Sequence, residues 1–327
     1  FLVPLGDLIE NRKLTIVTVV LAALALIGAA LCRNAASFLV LSLLIGFGTV
    51  SVQMLIPLAA HLAHEQSRGR VVGAIMGGLM LGILLSRPLS SVVADYFGWR
   101  TVFGSAAVLM MVVIVILAFT MPQRRPAHAA SYPALLTSLG TLFRDTPLLR
   151  QRAFYQACMF ASFSLFWTAV PLELARHYGF SQSKIALFAL VGAAGAISAP
   201  LGGRLADAGF TRGATRAALA VGALCLLPTL IGPAWGVIGL GLAALMLDFC
   251  VQLNMVMGQR EIYLLDAASR NRLNSLYMTS IFIGGASGSA MASGLYERGG
   301  WTAIVIAASL LPALALLRFL LDERRAR

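Results

Sequence analysis

Charge is what this sequence has least of. Only 12% of its 327 residues are Asp, Glu, Lys or Arg, against 59% that are hydrophobic, and its mean hydropathy is +0.86. A soluble chain of this length needs far more polar side chains to cover its surface, so a soluble globular domain is excluded. Acids are the scarcest group, 13 against 25 basic residues, for a net charge of +12. In a soluble domain that excess would suggest nucleic acid. In a membrane protein it collects in cytoplasmic loops, and no nucleic-acid partner is expected. The four cysteines, Cys32, Cys158, Cys225 and Cys250, lie in or beside apolar runs with no metal or redox spacing. They read as free thiols that pack as small apolar groups. His61 and His64 in "HLAHEQ" are not in metalloprotease order, and no metal is expected. "GAAGAISAPLGG" follows no strand and reads as helix packing rather than a phosphate loop. With no nucleophile–base set either, the chain carries neither enzyme chemistry nor a cofactor site, and no cleavable signal peptide is visible.

What is present is long apolar runs. "LTIVTVVLAALALIGAAL", Leu14 to Leu31, holds no charge, and a bilayer-spanning helix needs about 20 such residues. The pattern predicts an all-α polytopic membrane protein with ten spans, at 14–32, 37–62, 71–95, 101–121, 154–175, 184–206, 214–232, 235–258, 273–295 and 301–321. Connections are short except over 122–152, a basic, proline-containing loop with an amphipathic piece at Ala134 to Phe143 that suits a helix on the membrane surface. Domains follow: an N-terminal bundle over 1–121, a cytoplasmic inter-bundle loop over 122–152, a C-terminal six-helix bundle over 153–321 and a basic tail over 322–327. Alternate loops divide the basic residues unevenly. Nineteen fall on one side, five (Arg33, Arg100, Arg176, Lys184, Arg298) on the other, and Arg87 lies within a span. The richer side, with the C-terminus, is expected in the cytoplasm of a bacterial inner membrane.

The chain also repeats. "PLGDLIENR" with Asp7 returns as "GRLADAGFTR" with Asp207, "SVQM" with Gln53 as "CVQL" with Gln252, "SRGRVVG" as "SRNRLNS", and Gly98-Trp99 as Gly300-Trp301, at offsets of 199 to 202. Parallel repeats are a transporter architecture. In that register the first unit is short of one span and most of a second, so twelve spans are expected of the complete pattern.

These residues make the chain resemble the major facilitator superfamily. That family carries a Gly-x-Leu-x-Asp-x-x-Gly-Arg-Arg type motif after its second helix. Here Leu5, Asp7 and Arg12 match it in the first copy, and Gly203, Leu205, Asp207 and Arg212 in the second. The motif's aspartate sits at a helix end, where it can pair with loop arginines and latch two helices. The fifth helix of the family's proton antiporters has a glycine–proline motif. Gly73 and Gly82 match it, Ser86 replaces a glycine, and the proline comes one place late as Pro88. With Gly78 and Ser90 these small residues form a stripe that lets a neighbouring helix approach. The resemblance implies two pseudo-symmetric bundles and alternating access. It points to the drug and sugar efflux branch, although span 37–62 lacks that branch's early arginine.

Four groups of residues follow as candidates for the substrate and proton pathway. Arg87 lies roughly 12 Å from the outer end of its helix, at the α-helical rise. A lone arginine at such depth costs ~3 kcal/mol on insertion scales, so it is read as a gating or substrate residue, as a structural bridge, or as a snorkelling side chain. Asp248 is the only carboxylate well inside a span, on the helix corresponding to the family's cavity-lining tenth. It reads either as a proton carrier or as hydrogen-bonded helix glue. Gln53 and Gln252 are repeat mates suited to a polar substrate or to interhelical bonds. Gln156, Phe160, Phe163, Ser164 and Trp167 form an aromatic wall with polar points on the seventh helix, for an amphiphilic substrate or plain packing. Glu173, past Pro171, is expected to be solvated. Together they suggest a monomer exporting a small organic solute with the proton gradient as energy source. A uniporter or symporter is the alternative within the fold; outside it stands a truncated non-transporting remnant or a sensor.

Overall fold

In the computed structural model of the chain, residues 10–49, 55, 68–122, 132–193, 205, 208–231, 236–266 and 270–325 are described. Every regular element among them is helical. That is what a bilayer demands, because backbone groups in hydrocarbon must find their partners within the segment. In order they are α1 (Asn11–Leu31), α2 (Ala35–Gly48), α3 (Arg68–Phe97), α4 (Trp99–Thr120), α5 (Tyr132–Asp145), α6 (Pro147–Arg176), α7 (Gln182–Ala193), α8 (Thr211–Leu224), α9 (Gly236–Tyr263) and α10 (Arg270–Arg325), with a 3-10 turn at Leu227–Leu230. Six described stretches are long and apolar enough to cross a membrane, the last being α10. Gly300 breaks α10 into two limbs, its φ of 58° and ψ of −151° being non-helical. Each predicted span overlaps one of these helices or limbs, and α5 contains the predicted amphipathic piece.

Contacts divide the chain into two compact units, Phe1–Ser138 and Leu139–Arg327. In the first, α1 packs on α2 and α4, and α3 on α4. Gly28 and Gly48 let α1 and α2 close together: a Cβ at Gly48 would strike the Ala22 backbone. Outward from these contacts α4 exposes Leu109, Val112, Val115, Ile116 and Phe119, as a lipid-facing surface does.

In the second unit α6 is the central helix, and its largest contact is with α10. Glycines set the spacing. A Cβ at Gly284 or Gly288 would run into the carbonyls of Ala157 and Ala161, so two backbones touch there. Small residues at such positions allow close packing where no hydrophobic effect drives helices together. Around this seam Met159, Leu165, Phe166, Leu247 and Met257 are fully buried. The second limb of α10 is tied in by Ser162 Oγ, which donates to Ala308 O at 2.6 Å.

The two markers Gly98-Trp99 and Gly300-Trp301 are structurally equivalent. Gly98 has φ 83° and ψ 157° and is the single residue between α3 and α4. Gly300 has a positive φ at the corresponding corner. Both conformations suit glycine and strain any residue with a Cβ. Thus the sequence repeat marks the place in each unit where one helix ends and the next begins.

Candidate transport site

A series of buried polar groups in the second unit lies along one face of α6. Gln156, Phe160, Phe163 and Trp167 recur at helical spacing and so share that face. At one end, Trp167 Nε1 donates to Asp248 Oδ1 at 2.9 Å, joining α6 to the middle of α9. Asp248 is 8% exposed. From α7, Gly192 meets the pair: a Cβ there would overlap the Trp167 ring and lie against Asp248 Oδ2. Three helices therefore meet at one carboxylate. Further along, Gln156 is fully buried; its Nε2 donates to Val251 O at 3.1 Å, and its Oε1 accepts from Asn254 Nδ2 at 2.6 Å. Asn254 Oδ1 is buried with no hydrogen-bond partner among the described residues. A buried acceptor without a donor is costly, so a protic group entering here would be stabilised.

Between these polar ends stand the rings. Phe160 stacks on Phe163 at 5.2 Å between centroids and meets Phe282 of α10 edge-on at 6.1 Å. Phe163 and Phe188 flank Trp167. Gly285 lies against the Phe160 ring, where a side chain would collide. The arrangement is an aromatic column with a carboxylate near one end and a carboxamide pair at the other.

Of the residues expected from sequence, Gln156, Phe160, Trp167 and Asp248 are brought together. Gln252, one turn beyond Asp248, is half-buried and takes no part in this bonding among the described residues; Trp167 occupies the partner role. Arg87 and Gly73 lie in α3, their surroundings outside the described set. Pro88 continues α3 without ending it, and Ser86 is exposed. At the small-residue stripe Gly82 and Gly78 are exposed among the described residues, and a Cβ at either would meet no described atom within 4 Å. Close approaches occur at α1–α2 and α6–α10. Gln53, Asp7, Gly203 and Asp207 lie outside the described residues. Arg12 is described, and its partner is the Ala118 carbonyl at the end of α4, one of the last-turn carbonyls a helix leaves unsatisfied. Arg212 is exposed at the start of α8.

Glu173 corrects the expectation of a solvated side chain. It is 7% exposed, with Oε2 accepting from Tyr296 Oη at 2.8 Å and Oε1 3.1 Å from His177 Nδ1. The tyrosine on α10 covers it, which the local sequence around Pro171 does not reveal. A second cluster was also hidden in residues that read as loop charges. Arg152, 3% exposed, holds Glu261 Oε2 at 2.7 Å and donates to Thr215 Oγ1 at 2.8 Å. Tyr155 Oη donates to Asp322 Oδ2 at 2.6 Å, and Arg318 reaches the same oxygen at 3.1 Å. These groups tie the predicted cytoplasmic ends of α6, α8, α9 and α10 together. The signal available in sequence is their position within about three residues of the ends of the apolar runs.

The two-unit helical architecture has a counterpart in family profiles: that of the Major Facilitator Superfamily matches residues 1–262. The chain belongs to this superfamily. Its members are transporters rather than enzymes, and this membrane chain is a transporter of that type. It is 39% identical over 318 residues to "Uncharacterized transporter YgaY" of Escherichia coli O157:H7, covering 97% of this chain and 80% of that one. It is 30% identical over 303 residues to "Probable transporter SCO4007" of Streptomyces coelicolor, covering 92% and 70%. Among solved structures, the human organic anion transporter MFSD10 (TETRAN) superposes with a TM-score of 0.67 at 18% identity, over 97% of this chain and 79% of that one. That likeness concerns the fold.

Proposed function

We propose that this superfamily member exports a small amphiphilic organic solute across a bacterial inner membrane in exchange for protons, by alternating access of its two bundles. One observation carries the reading: Asp248 is a buried carboxylate at the middle of a spanning helix, bonded to Trp167 of the aromatic column. Ionised, it keeps that bond and carries its charge in a low-dielectric site; protonated, it is neutral and a donor in its turn. Two states of one group, each favoured by a different surrounding, are what proton coupling requires. The aromatic column supplies apolar faces for the solute, with Gln156 and Asn254 as its hydrogen-bonding end. Arg87 is assigned to stabilising one facing state, and Gln53 and Gln252 to lining the pathway. The bias of basic residues supports a cytoplasmic C-terminus, and the bacterial sources of two relatives support a bacterial inner (plasma) membrane.

The test is solute flux in proteoliposomes holding the full-length protein under an imposed pH gradient. Asp248→Asn keeps the site's shape and removes its titration. We expect it to retain equilibrative exchange of a transported solute while losing uphill movement and solute-dependent proton flux. Uphill transport by that variant at the wild-type rate would remove Asp248 from the coupling step and leave uniport as the better description.

A further inference from the structure

A second site lies in the first unit, away from the aromatic column. A cavity of about 370 Å³ opens where α1 ends, α2 begins and α4 begins, lined by Arg33, Asn34, Phe38, Trp99 and Arg100 with Cys32 at its edge. The volume falls within the range of about 300–1,000 Å³ usual for small-molecule pockets.

Its chemistry is one-signed. Two guanidinium groups line it and, among the described residues, no carboxylate does. Arg100 lies 4.4 Å over the Trp99 ring and gives one donor to Cys32 O at 3.0 Å, out of the five a guanidinium carries. Arg33 is exposed and has no ion-pair or hydrogen-bond partner among the described residues. Asn34 spends its Oδ1 on the Ser37 amide at 2.7 Å, which leaves its amide donors available. Both helices that begin at the cavity turn their positive ends toward it. Neither has an acidic residue in its first turn, and the Gly98 cap of α4 has no side chain to occupy the first amides. Two cations at two positive helix ends repel one another unless an anion lies between them. The floor is apolar: Phe38, Trp99 and Phe103 meet edge-on at 5.5 to 6.0 Å, fixing the start of α2 against that of α4.

We propose that this cavity binds a phosphate-type oxyanion, held between Arg33 and Arg100 against the Trp99 ring. Planar guanidinium forks match phosphate oxygens in pairs. The remaining volume and the ring edges accommodate an ester substituent. The same chemistry is presented by the headgroup of an anionic phospholipid and by a free phosphate or phosphate ester.

The full chain in phosphatidylcholine nanodiscs is titrated with inorganic phosphate while tryptophan emission is followed, with Trp99→Phe subtracted to isolate the Trp99 signal. The expected result is a saturable change that Trp99→Phe abolishes. Its half-saturation rises about tenfold in Arg33→Gln, for the loss of one charge-assisted contact. Arg298→Gln, a basic residue of the other unit, leaves it unchanged. Arg33 holds no structural bond, so its variant tests binding without disturbing the fold. Nanodiscs with added phosphatidylglycerol separate the sources. If the Trp99 spectrum already matches the phosphate-bound form and no longer responds, the lipid headgroup is the occupant; if the response persists, the free anion is. No saturable change in either lipid, or an unchanged half-saturation in Arg33→Gln, overturns the proposal.

Discussion

At the scale of single residues, the second unit depends on polar groups whose partners lie far away in sequence. Trp167 and Asp248 are 81 positions apart, and Arg152 and Glu261 109. Trp167→Phe keeps an aromatic ring and deletes the indole N–H that donates to the buried Asp248 carboxylate. We expect a loss of about 1–3 kcal/mol of stability, the range for one hydrogen bond to a buried polar or charged group, measured by thermal unfolding of purified protein. Truncating Arg152 to Ala strands a carboxylate. Breaking a fully buried pair costs about 3–5 kcal/mol, and the value here is smaller because the Glu261 side chain retains 23% exposure. Replacing both partners by Met is expected to recover most of the loss, which a double-mutant cycle measures. Such pairings explain where sequence reading stopped. Asp248 stood out because it interrupts an apolar run, whereas its partner Trp167 looked like one more ring in an aromatic stripe. Glu173 was misjudged because proximity to a helix end says nothing about the tyrosine that arrives from another helix.

At the scale of elements, hydropathy is enough to show that the chain is helical and where its apolar helices fall, because in a bilayer the solvent itself favours helices of spanning length. Which helix approaches which was less legible. The glycine stripe on α3 invites a neighbour that is not found among the described residues, while Gly284 and Gly288, less conspicuous in "IFIGGASGSA", make the backbone contact with α6. A small residue permits close approach but does not choose the partner. The corners are better specified. Gly300→Ala puts a Cβ on a residue with φ 58° and ψ −151°, and strain of about 1–3 kcal/mol is expected for such a conformation. Denaturant unfolding in detergent should show a lower midpoint for this variant and little change for Gly294→Ala, which is helical and open.

At the scale of the whole molecule, the twofold repeat of markers was legible from four matching offsets, and the basic-residue bias gives an orientation that can be checked directly. A fluorescent protein fused to the C-terminus should mature and emit in the cytoplasm. Alkaline phosphatase fused after Arg33 or Arg100 should be active, and fusions within 122–152 should be inactive. Activity of the last would reverse the topology. The substrate was not legible at any scale, since an aromatic column with two polar ends fits many amphiphiles.

The one-residue corner at Gly98 has a mechanical meaning. With only Gly98 between α3 and α4, the end of one helix and the start of the next cannot separate, and a displacement of that corner is shared by both, as by the two arms of a crank. The same corner carries Trp99 and Arg100 into the anion pocket. A ligand seated there would clamp the crank at its elbow, and tightening or loosening that grip would alter how freely the two helices swing as a pair.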